Sequence, residues 1–358
     1  MPLFSSAPKS LCVLRLSAIG DVCNTVAAVQ AIQRQWPKTE IVWITGKLEA
    51  KLIEDLDNIT VMVFDKKDGW SGYKSLWREL KDYRFDALLH MQYAFRASIA
   101  TLGIKAKHKL GFDPTRSQDF QHLFTNVKVP SPQTMHVLDG LLAFGETLGV
   151  QDMSPKWRID YSTDDLDWAT AQLDAIKPNL VIVPAASKAY KNWTAEGYAE
   201  LIQHAHQAGW NIILAGSPAQ VELDLAAKVE SLINITMSNL VGKSSLKEML
   251  ALLDKANLVV APDTGPAHMA NAVSTPVIGL YAHHNPERTG PYQYRHYVVS
   301  AYEEAIKAET GKTSKELSWR ARVKDKNAMQ RIEAQQVIAM FDKVVSDLNL
   351  PSPTTEVS

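Results

Sequence analysis

The chain alternates short, continuous apolar runs with longer segments whose apolar residues recur at helical spacing. In the first half, LCVLRLS (11–17), IVWIT (41–45), VMVFD (61–65) and DALLHM (86–91) are bounded by polar turns and predict strands. Between the first two runs, the turn AIGDV leads to a helical pattern from Asn24 to Trp36, which Pro37 stops. Segments 48–57 and 73–82 read as further helices. Repetition of a strand, a turn and a helix predicts an α/β domain with a mostly parallel sheet.

A polar stretch at 151–178, with Pro155, Pro178 and the acidic helix start STDDLDW, interrupts the pattern before it restarts. LVIVPA (180–185), NIILAG (211–216), LVVAP (258–262) and VIGLYA (277–282) predict strands, with helices over Gly197 to Gln207 and Ser245 to Ala256. In the latter, Leu246, Met249, Leu250 and Leu253 share a face, and Ser245 and Glu248 have capping-box spacing. A last amphipathic segment runs from Met329 to Leu348. The expected organisation is a Rossmann-like N-terminal domain over residues 1–160 and a second over 161–327. A C-terminal helix within 328–350 is expected to pack back across the N-terminal domain.

Composition narrows the function classes. With 38 Lys+Arg against 39 Asp+Glu, the formal net charge of the 358 residues is -1, so no global basic field points to nucleic acid. Cys12 and Cys23 are the only cysteines, which suits small buried side chains rather than a disulfide framework or a metal site. No apolar run approaches the roughly 18 residues of a membrane span, and MPLFSSAPKS lacks a signal-peptide core, so a cytoplasmic protein is expected.

The strongest local chemistry lies in APDTGPAHMANA (261–272), where a strand meets a small-residue turn and a helix N-terminus. Unpaired amides and the positive dipole end converge there on a candidate phosphate, and Gly265 allows close backbone approach. Ligands of open α/β sheets sit at the carboxyl ends of strands, so the site is expected in a cleft between the halves. Asp21, beside Gly20, reads either as a helix-capping acid or as a catalytic base. The triplets Asp55-Leu56-Asp57 and Asp165-Leu166-Asp167 read as helix-terminal acids, and His283 and His284 lack metal-site spacing, so neither metal nor cofactor is expected. The segment 66–84 holds six basic residues against three acids, with Trp70, Tyr73 and Trp77 interleaved. It reads as a solvated helix face or as a dock for an anionic, lipid-linked sugar, and Lys105, Lys107 and Lys109 form a second basic patch.

Three stretches in order, LRLSAIGDVCNTVAAV, KNWTAEGYAEL and APDTGPAHMANAVSTPVIGLYAHHNPERTGPY, resemble glycosyltransferase family 9, the ADP-heptose:lipopolysaccharide heptosyltransferases, across residues 11–295. The resemblance implies a GT-B fold, two Rossmann-like domains facing each other across a cleft. It also implies inverting, metal-independent transfer of heptose from ADP-heptose to Kdo of the lipopolysaccharide inner core, the acceptor being Kdo-lipid A with or without a phosphate on the Kdo. A family member acting later in the core, on the second heptose or as an N-acetylglucosaminyltransferase, is the alternative. On the matching positions, Asp21 is implied as general base, Lys191 at the donor diphosphate and Asp263 at the donor heptose. Thr264, Gly265 and His268 match the donor-phosphate turn, and Arg96 matches a basic acceptor contact, to which local charge adds Lys66, Lys67 and Lys74. The chain departs from the heptosyltransferase I pattern at LHMQYAFRAS, with His90 and Tyr93 in place of an acid and a glycine. An enzyme of this kind is expected on the cytoplasmic face of the inner membrane, in peripheral contact with its anionic surface. A nucleotide-sugar epimerase and a non-catalytic nucleotide-sugar binding protein remain open as other classes. A hydride-transferring dinucleotide enzyme is disfavoured because SAIGDV lacks G-x-G-x-x-G.

Overall fold

A computed structural model describes residues 2–350, and the chain divides into two units between Asp160 and Tyr161. In the first unit the strands are β1 (Ser10–Leu14), β2 (Glu40–Thr45), β3 (Ile59–Val63), β4 (Phe85–His90), β5 (Ala106–Phe112) and β6 (Val127–Val129). They form one parallel sheet in the order β3-β2-β1-β4-β5-β6. Helices α1 (Ile19–Gln35), α2 (Lys47–Ile53), α3 (Gly69–Glu79), α4 (Phe95–Ala100) and α5 (Val137–Leu148) complete it. Leu11 to Leu14 pair on one side with Ile41 to Ile44 and on the other with Ala87 to His90, and all four are fully buried. Burial on both faces explains why β1 and β4 read as unbroken apolar runs.

The second unit begins with α6 (Thr163–Thr170) and continues through β7 (Asn179–Ile182), α7 (Ala195–Gln207), β8 (Asn211–Gly216), α8 (Gln220–Ser231), β9 (Ser238–Val241) and α9 (Leu246–Lys255). It ends with β10 (Leu258–Pro262), α10 (Gly265–Ala272), β11 (Val277–Tyr281), α11 (Pro286–Thr289), β12 (Val298–Ser300), α12 (Tyr302–Thr310) and α13 (Ala334–Asp347). Its parallel sheet has the order β9-β8-β7-β10-β11-β12, the same topology as the first.

The predicted runs at 41–45, 86–91, 211–216, 258–262 and 277–282 are strands in these positions, and Ser245 and Glu248 form the expected reciprocal cap, Glu248 N–H donating to Ser245 Oγ at 3.1 Å. Asp165 likewise caps Ser162 at the start of α6, its carboxylate accepting the Ser162 amide at 2.9 Å. Strands β5, β6, β9 and β12 escaped the pattern because they are edge-side and partly polar. In β5, Lys107 is exposed and Lys109 donates to the Thr101 carbonyl at 2.9 Å, so that basic patch is largely a strand face. Helix α1 begins at Ile19, five residues before the periodicity becomes visible.

The final helix packs on its own unit. Val337, Phe341 and Val344 of α13 are buried in the second unit's own core, with the Phe341 ring 5.2 Å from that of Trp210 and Asp342 bonded to His204 at 2.7 Å. Its apolar stripe finds partners on and just beyond α7, so its burial belongs to the second unit.

Candidate active site

In each sheet the chain order reverses between the two central strands, and their loops part at the carboxyl edge to leave a crevice. The first unit's reversal lies between β1 and β4. Beyond β1, Arg15 is almost wholly buried, and its guanidinium donates to the Met91 carbonyl and pairs with the carboxylate of Asp21, whose side chain is 40% exposed. The Asp21 carboxylate also accepts the Ala18 amide at 3.2 Å, at the N-terminus of α1. Beyond β4, Gln92 accepts the Leu16 and Ser17 amides at 3.0 and 3.3 Å, tying the two loops together. An acid is thus held at the crevice by a buried cation while one side stays open to solvent.

His90 and Tyr93, the two departures from the family pattern, support this arrangement. His90 is buried against Ser98 Oγ at 3.0 Å, and burial, reinforced by the nearby charges of Arg15 and Lys109, lowers its pKa to about 3. The Tyr93 ring stacks on Phe112 and lies 6.0 Å from the Arg15 guanidinium. Tyr93 thus flanks Arg15 while His90 packs neutral nearby; Arg15 was not singled out from sequence, and an arginine inside the apolar run LCVLRLS was the available signal.

A cavity of about 370 Å³ opens beside this loop, lined among others by Ser17, Glu49, Lys66, Lys67 and Arg96. Arg96 donates to Ser17 Oγ at 3.4 Å, and Tyr73 Oη donates to the Arg96 carbonyl at 3.1 Å, which fixes α3 to the start of α4. Glu49 is nearly buried in the wall; burial raises its pKa, with Lys66 and Arg96 opposing. Nothing in the sequence marked Glu49, since an acid in the first turn of α2 is ordinary helix chemistry. Lys74 is exposed on α3 and does not line the cavity, so the structure separates it from Lys66, Lys67 and Arg96.

The second unit's reversal lies between β7 and β10. Asp263, the residue after β10, accepts from Lys191 Nζ at 2.7 Å and from His284 Nδ1 at 2.6 Å. Burial works against its ionisation, but the His284 hydrogen bond and the Lys191 charge outweigh it and hold the carboxyl well below the usual carboxylate range. Lys191, Asp263 and His284 are thus one cluster drawn from three loops. The pairing of His284 depends on the end of β11 and is not legible in the sequence.

Thr264 occupies the N-cap of α10 without a side-chain capping bond, Pro266 sits in the first turn, and His268 is buried one turn in. The start of α10 follows Asp263 directly in the chain, with no bond from the Thr264 side chain to its first amides. The mid-chain motif KNWTAEGYAEL is mainly architectural: Trp193 lies over Gly197 and donates to the Ile332 carbonyl at 2.8 Å, while Thr194 caps α7. Its Lys191-Asn192 start is what reaches the site, with Asn192 accepting the Ala186 amide at 2.8 Å. Among the described residues no group of three His, Cys, Asp or Glu is placed to hold a metal ion.

The sequence model described as glycosyltransferase family 9 (heptosyltransferase) matches residues 73–320. The chain is 51% identical to the lipopolysaccharide core heptosyltransferase OpsX of Haemophilus influenzae, over 96% of this chain and 99% of that one. Among solved structures, a family 9 glycosyltransferase of Veillonella parvula superposes with a TM-score of 0.76 at 22% identity, covering 97% of this chain and 99% of that one. E. coli heptosyltransferase WaaC with ADP superposes with a TM-score of 0.71 at 20% identity, covering 93% and 99%. These likenesses identify the paired α/β units as a GT-B fold.

Proposed function

Because the chain belongs to glycosyltransferase family 9, the heptosyltransferases, we propose that it transfers heptose from ADP-heptose to a Kdo sugar of the lipopolysaccharide inner core, with inversion at the anomeric carbon. The observation that carries this reading is the Lys191–Asp263–His284 cluster at the N-terminus of α10, where a lysine and helix amides offer donors suited to a departing nucleoside diphosphate. In the step, an acceptor hydroxyl oxygen forms a bond to the anomeric carbon as the bond to the β-phosphate oxygen breaks. ADP leaves with the electron pair, and Asp21 takes the hydroxyl proton.

Arg15 positions Asp21 for that role, and the partial exposure of the carboxylate leaves it accessible to an acceptor. Lys191, Thr264, Gly265 and His268 are assigned to the donor phosphates. The carboxylate of Asp263 is assigned to the donor heptose, with Lys191 and His284 orienting it. Arg96, Lys66 and Lys67 line the cavity assigned to the Kdo carboxylate, or to a phosphate on that sugar, and Arg96 offers the planar fork such anions fit. Lys74 is assigned only a peripheral electrostatic part. The acceptor is lipid-linked, so the enzyme works in peripheral contact with the anionic cytoplasmic face of the inner membrane.

Incubating the protein with ADP-heptose and Kdo-lipid acceptors, with and without a phosphate on the Kdo, and weighing the products tests the assignment. A mass increase of one heptose on a Kdo acceptor is expected. Transfer only to acceptors that already carry heptose would move the enzyme later in the core, and donor turnover without any acceptor would favour an epimerase.

A further inference from the structure

Every strand of the first sheet is parallel, so the loops after β2, β3, β4 and β5 emerge on one edge. Each carries an exposed apolar side chain there: Leu48 after β2, Trp70 after β3, Phe95 after β4, and Phe120 and Leu123 after β5. Exposures of 65% for Trp70, 65% for Phe120 and 70% for Leu123 exceed what scattered surface residues with a packing role require. Contacts link the loops that carry Trp70, Phe95 and Phe120. The Trp70 ring lies 5.4 Å from Tyr73, Tyr73 bonds to the Arg96 backbone, and Phe95 meets Phe124 in the loop that holds Phe120 and Leu123. Tyr73 and Trp77 are packing residues, the latter donating to the Ala100 carbonyl, so only Trp70 of that aromatic trio is presented outward.

Phe120 and the preceding Asp119 both adopt left-handed backbone, at φ 60° and 47°, a conformation costing such residues about 1 kcal/mol or more. Burial of the Phe120 ring does not offset that cost. In the second unit the large exposed apolar residues are aliphatic, Ile176, Leu223, Leu232 and Leu348, and Ile176 precedes β7 on the opposite edge.

Lys47, Lys51, Lys66 and Lys67 line the cavity on this edge beside Leu48, with Glu49 and Asp65 in the same lining and Asp68 and Asp119 in the neighbouring loops. Aromatic rings interleaved with lysines match the headgroup zone of a membrane carrying anionic lipid, where rings partition at the interface and each cation gains about 1 kcal/mol. We propose that this edge of the first sheet docks onto an anionic phospholipid bilayer, with Trp70, Phe95, Phe120 and Leu123 entering the headgroup region and the flanking lysines pairing with lipid phosphates. The proposal rests on the lipid-linked acceptor of the functional reading: the cavity lined by Lys66 and Arg96 opens on this same edge, so an acceptor sugar reaches it with its lipid still embedded.

Flotation with acceptor-free vesicles of phosphatidylglycerol and phosphatidylethanolamine, against phosphatidylcholine vesicles, tests the docking directly. The full-length protein is expected to float with the anionic vesicles, and the Trp70→Ser/Phe120→Ser/Leu123→Ser variant to bind at least about tenfold more weakly. Vesicles with brominated acyl chains should quench tryptophan fluorescence in the parent and far less in Trp70→Phe, which keeps its apolar bulk and its binding. The triple variant should retain turnover on a deacylated, water-soluble acceptor while losing about tenfold on a vesicle-embedded one. Unchanged vesicle binding by the triple variant, or no binding by the parent, overturns the proposal, as does a parent that self-associates through this edge instead. Vesicle binding without transfer to either acceptor counts against the acceptor reading and for the docking surface.

Discussion

The two central crevices share a strand order but use it in opposite electrostatic ways. At β1/β4 the first amide of the helix is taken by the protein's own acid, Asp21, which a buried arginine holds from behind. At β10, Thr264 leaves α10 without a side-chain cap, and the neighbouring acid, Asp263, is neutralised by Lys191 and His284. The N-cap amide of α1 is taken by an internal acid, whereas at α10 the acid beside the N-cap is paired with Lys191 and His284, so a diphosphate suits the second unit and a proton acceptor suits the first. Identical topology therefore supplies a location and leaves the chemistry to a few side chains.

That contrast fails most visibly if Asp21 is dispensable. Asp21→Asn is expected to lower kcat by roughly 10²–10⁴ with donor affinity nearly unchanged, the loss typical of a general base. Near-normal turnover by a folded Asp21→Asn protein would make the first crevice purely structural. Arg15 should then be probed beside it: Arg15→Lys, which keeps the charge, should recover part of the kcat lost in Arg15→Ala without changing donor KM.

The next effect belongs to the second crevice. Lys191→Ala removes a charge-assisted bond worth about 1.5–3 kcal/mol and should raise donor KM by about 10- to 100-fold, leaving acceptor KM unmoved. A change confined to acceptor parameters would exchange the roles of the two units.

Asp263→Asn should cost about 2 kcal/mol of stability at neutral pH by leaving Lys191 without its partner. Because the folded carboxyl titrates below its ordinary range, its contribution is complete above the unfolded pKa of about 3.9 and is lost as pH falls toward the folded value. The Tm gap between parent and variant should be widest near neutrality and narrow below about pH 4. A gap that widened on acidification would contradict the pairing.

The smallest effects sharpen the acceptor side. Arg96→Ala is expected to raise acceptor KM about tenfold. Lys74→Glu, at an exposed position outside the cavity, should change it less than about twofold and only at low salt. Equal, salt-insensitive losses in both would mean that the cavity does not define the acceptor site.

Much of this is legible in the sequence alone. Apolar runs, the Ser245–Glu248 cap and the turn at Thr264-Gly265-Pro266 depend on residues close in the chain, where strand and helix periodicities and cap chemistry act. Those local signals determined the α/β class, and the three ordered motifs carried the family. The tertiary structure alone decided which charges meet. Lys191 and Asp263 are 72 positions apart, and Asp263 and His284 are 21 apart. Their pairing follows from β10 and β11 ending side by side in a parallel sheet, with the loop after β7 beside them. The burial of Arg15 behind Asp21 needs the Met91 carbonyl at the end of β4, and the placement of α13 needs the surface that Trp210 and His204 present. Periodicity reports which face of an element is apolar, whereas the partner it meets, and hence whether a charge is paired, buried or free to act, is set by the path of the chain between them.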